Sequence, residues 1–115
     1  NSCDSSVLRQ VPKEIPVDIV YENEQVLVFR DVKPAAPVHL LIIPKKHIPA
    51  LSELSEEDSA LMGQVQLAAV RVAKELGLVE QGFRLVNNCG ENAGQVVMHI
   101  HYHLLSGRSF QWPPG

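Results

Sequence analysis

Cysteine, basic charge in excess, long apolar runs and internal repeats are all scarce or missing in this chain. Only two cysteines occur in 115 residues. Cys3 sits in a polar stretch and Cys89 follows two asparagines, so a secreted disulfide framework has no basis and a reducing compartment is expected. The expected localisation is cytoplasmic, or organellar if a targeting segment precedes Asn1. Ten Lys and Arg against thirteen Asp and Glu give a formal net charge of -3, and no basic stripe appears, which argues against a nucleic-acid partner. The longest apolar run, Val38 to Pro44, contains a histidine and is far too short to cross a bilayer, so no membrane insertion is expected. What is present, 45% hydrophobic and 20% charged residues, suits one ordinary globular domain. A core of this size is marginal, and self-association is expected to help it.

Residues 1–14 read as a polar leader, with the domain over 15–115. Ile19-Val20-Tyr21 and Val26-Leu27-Val28-Phe29 are β-branched or aromatic runs separated by polar residues, the pattern of a β-hairpin. Two prolines break the chain at Pro34 and Pro37, and His39 to Ile43 resumes as a buried strand. Ser55 followed by Glu56, Glu57 and Asp58 resembles a capping box, with acidic side chains at the positive end of a helix dipole. The helix predicted from Glu56 to Leu76 carries Leu61, Val65, Ala68, Ala69, Val72 and Leu76 on one face and stops at Gly77. Met62 and Leu67 lie outside that stripe and need a cover. Phe83 to Asn88 and Val96 to Leu105 read as two further strands, joined by a reversal over Cys89 to Gly94. The sum is an α+β domain, an antiparallel sheet with a long helix on one face.

Three of the five histidines fall in His99-Ile100-His101-Tyr102-His103-Leu104-Leu105. On a strand, alternate residues share a face, so the three imidazoles would line up while Ile100, Tyr102 and Leu104 turn to the core. Two imidazolium ions about 7 Å apart repel by roughly 2 kcal/mol at an effective dielectric near 20, so at least one ring should be neutral and nucleophilic. A lone histidine would read as a hydrogen-bonded core residue, and three in phase make that reading weak. A zinc site is a second reading, with His103, His47 or Cys89 as third ligand. Against it, the sequence offers no Cys-x-x-Cys pair and no nearby carboxylate to orient the rings. Attack of a neutral imidazole on phosphorus is the third reading, with Asn88 and the glycine-rich loop to Gly94 as a phosphate cradle.

The run His99 to Leu105 resembles the histidine triad pattern. With Phe29-Arg30-Asp31-Val32, Ala36-Pro37-Val38-His39, Ile43-Pro44-Lys45-Lys46-His47-Ile48, Ser106-Gly107-Arg108 and Trp112-Pro113-Pro114-Gly115, the resemblance extends from about Ile15 to the last residue. It points to the Hint branch, the histidine triad nucleotide-binding proteins. The resemblance implies a HIT-like fold whose sheets join across a homodimer, and hydrolysis of adenosine 5'-phosphoramidates to AMP and an amine without a cofactor. It implies His101 as nucleophile through a nucleotidyl-histidine, His103 as phosphate contact and proton carrier to the leaving amine, His99 as buttress and His47 as a fourth histidine behind the triad. Asp31 would accept the ribose hydroxyls, Phe29 and Val32 would line the base pocket, and Asn88, Gly94 and Gln95 would meet the phosphate. Trp112 would pack on the partner subunit.

The lesser alternative for Asp31 is that it opens the turn before Pro34, and Lys45 and Lys46 read as a solvated strand end. His39 reads as structural. Two departures from the family pattern stand out. Val96 occupies the position of a common serine, which removes one phosphate contact. Ser5 and Leu8 stand where some members carry a Cys-x-x-Cys, so no metal is expected. Alternative functions are a dinucleoside polyphosphate hydrolase of the fragile histidine triad kind, and a nucleotide-binding interaction protein with little turnover.

Overall fold

The computed structural model describes residues 18–115; the expected leader and Cys3 lie outside them. Five strands, β1 (Ile19–Glu22), β2 (Val26–Arg30), β3 (Val38–Pro44), β4 (Phe83–Asn87) and β5 (Tyr102–Ser106), form one antiparallel sheet in the order β1-β2-β3-β5-β4. The hairpin of β1 and β2 is where the alternation predicted it. Asn23 closes its turn, its side-chain oxygen accepting from the amides of Gln25 and Val26 at 2.8 Å each.

The helix α1 (Ser59–Glu75) covers one face of the sheet, and a single 3-10 turn at Glu56–Asp58 precedes it. The capping box is present, with Ser55 and Asp58 bonding reciprocally. Buried Asp58 also takes the ammonium of Lys46 at 2.6 Å, and Lys45 pairs with Glu22. The lysines are therefore tied down rather than merely solvated. Gly77 ends the helix in the left-handed region at φ 70°, and the chain restarts at once as the short α2 (Leu78–Gln81). The buried stripe is Val65, Ala68, Ala69, Val72 and Ala73. Leu76 is 38% exposed at the helix end and Leu61 only half-buried, which corrects the predicted stripe at both ends. Met62 finds its cover within the chain, against the core beneath α1, whereas Leu67 remains exposed. That core is Val26, Val28, Leu40, Ile42 and Leu104 of the sheet under the helix residues and Leu78.

The second correction matters for the site. The strand predicted over Val96 to Leu105 is paired only from Tyr102. In the β3–β5 register Leu41 faces His103 and Ile42 faces Tyr102, so Pro44 falls opposite Ile100. Proline has no N–H to continue the ladder. Residues 96–101 leave the sheet there. On the opposite face from α1, Leu27, Phe29, Leu41 and Ile43 form a smaller apolar cluster capped by Val97. Trp112 is 82% exposed and finds no cover among the described residues.

Candidate functional site

The three triad histidines are held by different devices. His103 stands on β5 opposite Leu41 of β3 and Val86 of β4, on the face away from α1. His99 and His101 are placed by the segment that follows β3. The amide of Ile100 donates to the Ile48 carbonyl at 2.6 Å, and His99 Nε2 donates to the Pro44 carbonyl at 2.8 Å. From the other side the Asn87 side-chain amide donates to the His101 carbonyl at 2.9 Å, standing in for the missing ladder bond. The Asn87 Oδ1 is buried and has no partner among the described residues.

These anchors decide which nitrogen of each neutral ring carries the hydrogen, because a carbonyl can only accept. His101 Nδ1 donates to the His99 carbonyl at 2.7 Å, so its Nε2 keeps a lone pair. His99, which has no exposed surface, donates through Nε2, so its Nδ1 accepts from His47 Nδ1 at 3.2 Å. The Ala35 amide donates to His39 Nδ1 at 2.9 Å. His39 therefore donates through Nε2 to His103 Nδ1, also at 2.9 Å, which leaves the His103 hydrogen on Nε2. Among the described residues, one ring thus ends in a free lone pair and its neighbour in a free N–H, with centroids 5.1 Å apart.

Burial keeps the supporting rings neutral. It lowers the pKa of His39 against the opposing pull of Asp31. It lowers that of His99, with the neighbouring His47 and His101 acting in the same direction and the Pro44 carbonyl opposing. His103 is lowered to about 4, first by burial and then by His101 and His39, while Asp31 acts the other way.

His39 reads as structural in the sequence, and in the structure it bonds His103 directly. Its only sequence signal was the Ala36-Pro37-Val38-His39 run, since 64 residues separate it from His103. The expectation that no carboxylate approaches the triad also needs correcting, because Asp31 Oδ2 lies 3.5 Å from His39 Nε2. Asp31 opens its turn as well, accepting from the Lys33 amide at 2.8 Å. One donor atom from each of Asp31, His39 and His103 falls within 4.8 Å of the others. A metal-ligating histidine donates its second N–H outward. His39 does the reverse, accepting from a backbone amide, so this cluster has the bonding of a relay.

The remaining expected site residues divide. Phe29, Leu41 and His103 form a row across β2, β3 and β5, with Phe29 buried in the apolar cluster on the face that carries His103. Val32 is 90% exposed. Gly94 adopts φ 98° beside the Asn88 side chain, whose Nδ2 lies 4.0 Å from where a Cβ would stand. Gln95 is committed elsewhere: its Oε1 accepts from the Gly90 amide, and its Nε2 donates to the Pro49 and Val97 carbonyls. Its own amide bonds the Gly90 carbonyl, so Gln95 builds the loop and has no group left to offer a phosphate. Among the asparagines, Asn87 rather than Asn88 bonds to the triad backbone.

Comparison with known proteins gives a consistent answer. The HIT domain family model matches residues 12–110. A HIT-like protein of Synechocystis sp. is 51% identical over 112 residues, covering 97% of each chain. A crystal structure of a HIT family hydrolase from Legionella pneumophila is 49% identical with a TM-score of 0.86, covering 89% of this chain and 91% of that one. A HIT family hydrolase from Clostridium thermocellum is 44% identical with a TM-score of 0.87, covering 94% of both.

Proposed function

The chain belongs to the HIT domain family, and on that premise we propose that it is a hydrolase of the Hint type, a purine nucleoside phosphoramidase that cleaves adenosine 5'-phosphoramidates to AMP and an amine. The observation that carries this reading is the 2.7 Å bond from His101 Nδ1 to the His99 carbonyl, which leaves Nε2 with its lone pair free. The names of similar solved structures, HIT family hydrolases, support hydrolysis in general.

In this reading His101 Nε2 attacks phosphorus and the P–N bond breaks, its electron pair leaving with the nitrogen. His103 presents its Nε2–H to the phosphoryl group. An anionic phosphoramidate bound beside that ring favours the imidazolium against the effect of burial, at the cost of the bond that Nδ1 accepts from His39, and the Nε2 proton is the one passed to the departing amine. Water then attacks the phosphorus of the nucleotidyl-histidine, the Nε2–P bond breaks, and the proton that water sheds returns to His103 Nε2, releasing AMP and restoring both rings. Asp31 accepts the ribose hydroxyls beside the apolar row that begins at Phe29, and Asn88 and Gly94 face the phosphate. His47 and His99 fix the geometry from behind. The active form is a homodimer: β4 is a sheet edge, and Leu67, Val70, Val79 and Phe83 are exposed apolar side chains on α1, α2 and β4.

The test is amine release from a fluorogenic adenosine phosphoramidate beside a diadenosine polyphosphate control, with a rapid quench and mass spectrometry. AMP is expected on His101, and His101→Ala should lose several orders of magnitude in rate. Label on another histidine with turnover intact would remove His101 from the role, and faster cleavage of the polyphosphate would favour the fragile histidine triad activity. Sedimentation of the intact chain at micromolar concentration should show a dimer.

A further inference from the structure

Asp31 and His39 stand opposite each other where β2 gives way to β3, and each is tied to the backbone at one end. Asp31 Oδ1 accepts from the Lys33 amide at 2.8 Å, and His39 Nδ1 accepts from the Ala35 amide at 2.9 Å. The Asp31 amide donates to the His39 carbonyl at 3.0 Å, so the main chain joins the two residues as well. One group of each side chain is left over, Asp31 Oδ2 and the His39 Nε2–H, 3.5 Å apart. The His39 side chain is 7% exposed and that of Asp31 19%, so the pair is largely shielded from water.

At rest that hydrogen goes to His103 Nδ1, at 2.9 Å. It cannot stay there once His103 has a hydrogen of its own on Nδ1, because two N–H groups would then point at each other. His39 cannot escape by changing tautomer, since a hydrogen on Nδ1 would meet the Ala35 N–H, and it cannot become an imidazolium for the same reason. It can only change acceptor. Asp31 Oδ2 is the acceptor that stands beside it, and a shift of under about 1 Å brings the pair to the length of a charge-assisted bond.

The titratable groups around His103 are few. His101 faces it from its own segment and His39 from β3, each with ring centroids 5.1 Å away, and Asp31 approaches from the turn after β2. From β4 it meets Val86, which carries no charge. Burial, His101 and His39 all disfavour a charged His103, and Asp31 opposes them. A carboxylate has about four acceptor positions, enough for the Lys33 amide, two ribose hydroxyls and His39 together.

We propose that Asp31 is a positioning residue for the acid step as well as a ribose contact: its Oδ2 takes over the His39 hydrogen for as long as His103 carries one on Nδ1. The exchange lets His103 become the imidazolium that gives its Nε2 proton to the amine without leaving two N–H groups opposed. This rests on the phosphoramidase reading above, and it makes Asp31 matter even for a nucleotide without ribose hydroxyls.

The test uses 2',3'-dideoxyadenosine 5'-conjugates, which remove the ribose contact, in two forms. One is the phosphoramidate of an alkylamine, whose leaving group needs a proton, and the other a p-nitrophenyl phosphodiester, whose leaving group does not. Single-turnover rates are compared in the intact protein and in Asp31→Asn. The phosphoramidate should slow on the order of tenfold, a fraction of the roughly 10²- to 10⁴-fold that an acid–base group contributes, and the ester hardly at all. Asp31→Glu should recover part of the loss. A distorted site would slow both substrates alike, and a ribose contact alone would leave both unchanged; either result would overturn the proposal. In parallel, nitrogen NMR of the imidazoles is followed from about pH 8 to about pH 5 with 2',3'-dideoxyadenosine monophosphate bound. His39 should keep its hydrogen on Nε2 while His103 gains one on Nδ1, and Asp31→Asn should move that gain to lower pH. A hydrogen on His39 Nδ1, or a His103 that stays neutral throughout, would overturn the proposal without any variant. If the intact protein releases no amine from an adenosine phosphoramidate, the phosphoramidase reading fails, and the spectra still decide the role of Asp31.

Discussion

His39 Nε2 and His103 Nδ1 meet at 2.9 Å across the neighbouring strands β3 and β5, with Asp31 Oδ2 3.5 Å from the same His39 nitrogen. The single His39 Nε2–H thus faces both a carboxylate oxygen and the imidazole nitrogen that accepts it, and the His103 ring turns its own N–H to the site. The Ala35 amide fixes the direction of this bond, because it can only donate to His39 Nδ1.

Acid should weaken the fold through these rings. His39, His99 and His103 all have pKa values below the ordinary 6.5, His103 at about 4. Between those values the unfolded chain binds more protons than the folded one, so stability rises with pH across that window. It should be complete above about pH 6.5 and decline as pH falls toward about 4. Asp58, held below the usual carboxylate range chiefly by its bond to Lys46, adds its own loss only at still lower pH. Urea midpoints measured from pH 7.5 to 4.5 should fall steadily, and His103→Gln should flatten the slope. A level profile would show that the rings are not buried neutral.

Gly107→Ala should destabilise more than Gly77→Ala. Both glycines have positive φ, but a Cβ at Gly107 would lie 2.7 Å from the Pro37 Cβ, while one at Gly77 meets nothing within 4 Å. The strained backbone costs about 1–2 kcal/mol in each, and the clash adds roughly 1–3 kcal/mol at Gly107. Chemical denaturation of the pair, with an equal loss in both, would show that the turn yields freely.

Gln95→Leu keeps the volume and leaves the Gly90 amide and the Pro49 and Val97 carbonyls without their partner. Each buried orphan costs about 1–3 kcal/mol where water cannot replace the bond. Stability should fall by about 2–3 kcal/mol, and the Gly90 amide should exchange its hydrogen faster. Unchanged exchange at Gly90 would mean that the backbone alone holds this loop.

Much of this architecture was legible in the sequence. Alternating β-branched residues gave the hairpin, the 3.6-residue stripe with its capping box gave α1, and the histidine spacing marked the site. The misses share a cause. Local periodicity carries no information about what lies across the sheet, so the early end of the last strand depends on Pro44, more than fifty residues away. Asp31 and His39 likewise join His103 only through the β3–β5 pairing. Gln95 looked like a phosphate contact because its polarity is visible in sequence and its three partners are not.

Val96→Ser is expected to raise turnover severalfold with little change in stability. The valine side chain is 86% exposed, so its replacement removes almost no packing, while on the phosphoramidase reading proposed above a hydroxyl there would offer the phosphate a contact that valine lacks. A steady-state rate unchanged by the serine would show that position 96 stands away from the reacting group.

The address of the proposed nucleophile is written in two places on the chain. Residues 95–101 hang from residues 44–49 through the Pro44, Ile48 and Pro49 carbonyls, outside the ladder that orders the rest of the sheet. A change in either segment has therefore to be answered in the other. Grafting the histidine run alone onto a foreign sheet would carry over the imidazoles without their tautomers, and the smallest transplantable unit of this site is the pair of segments together.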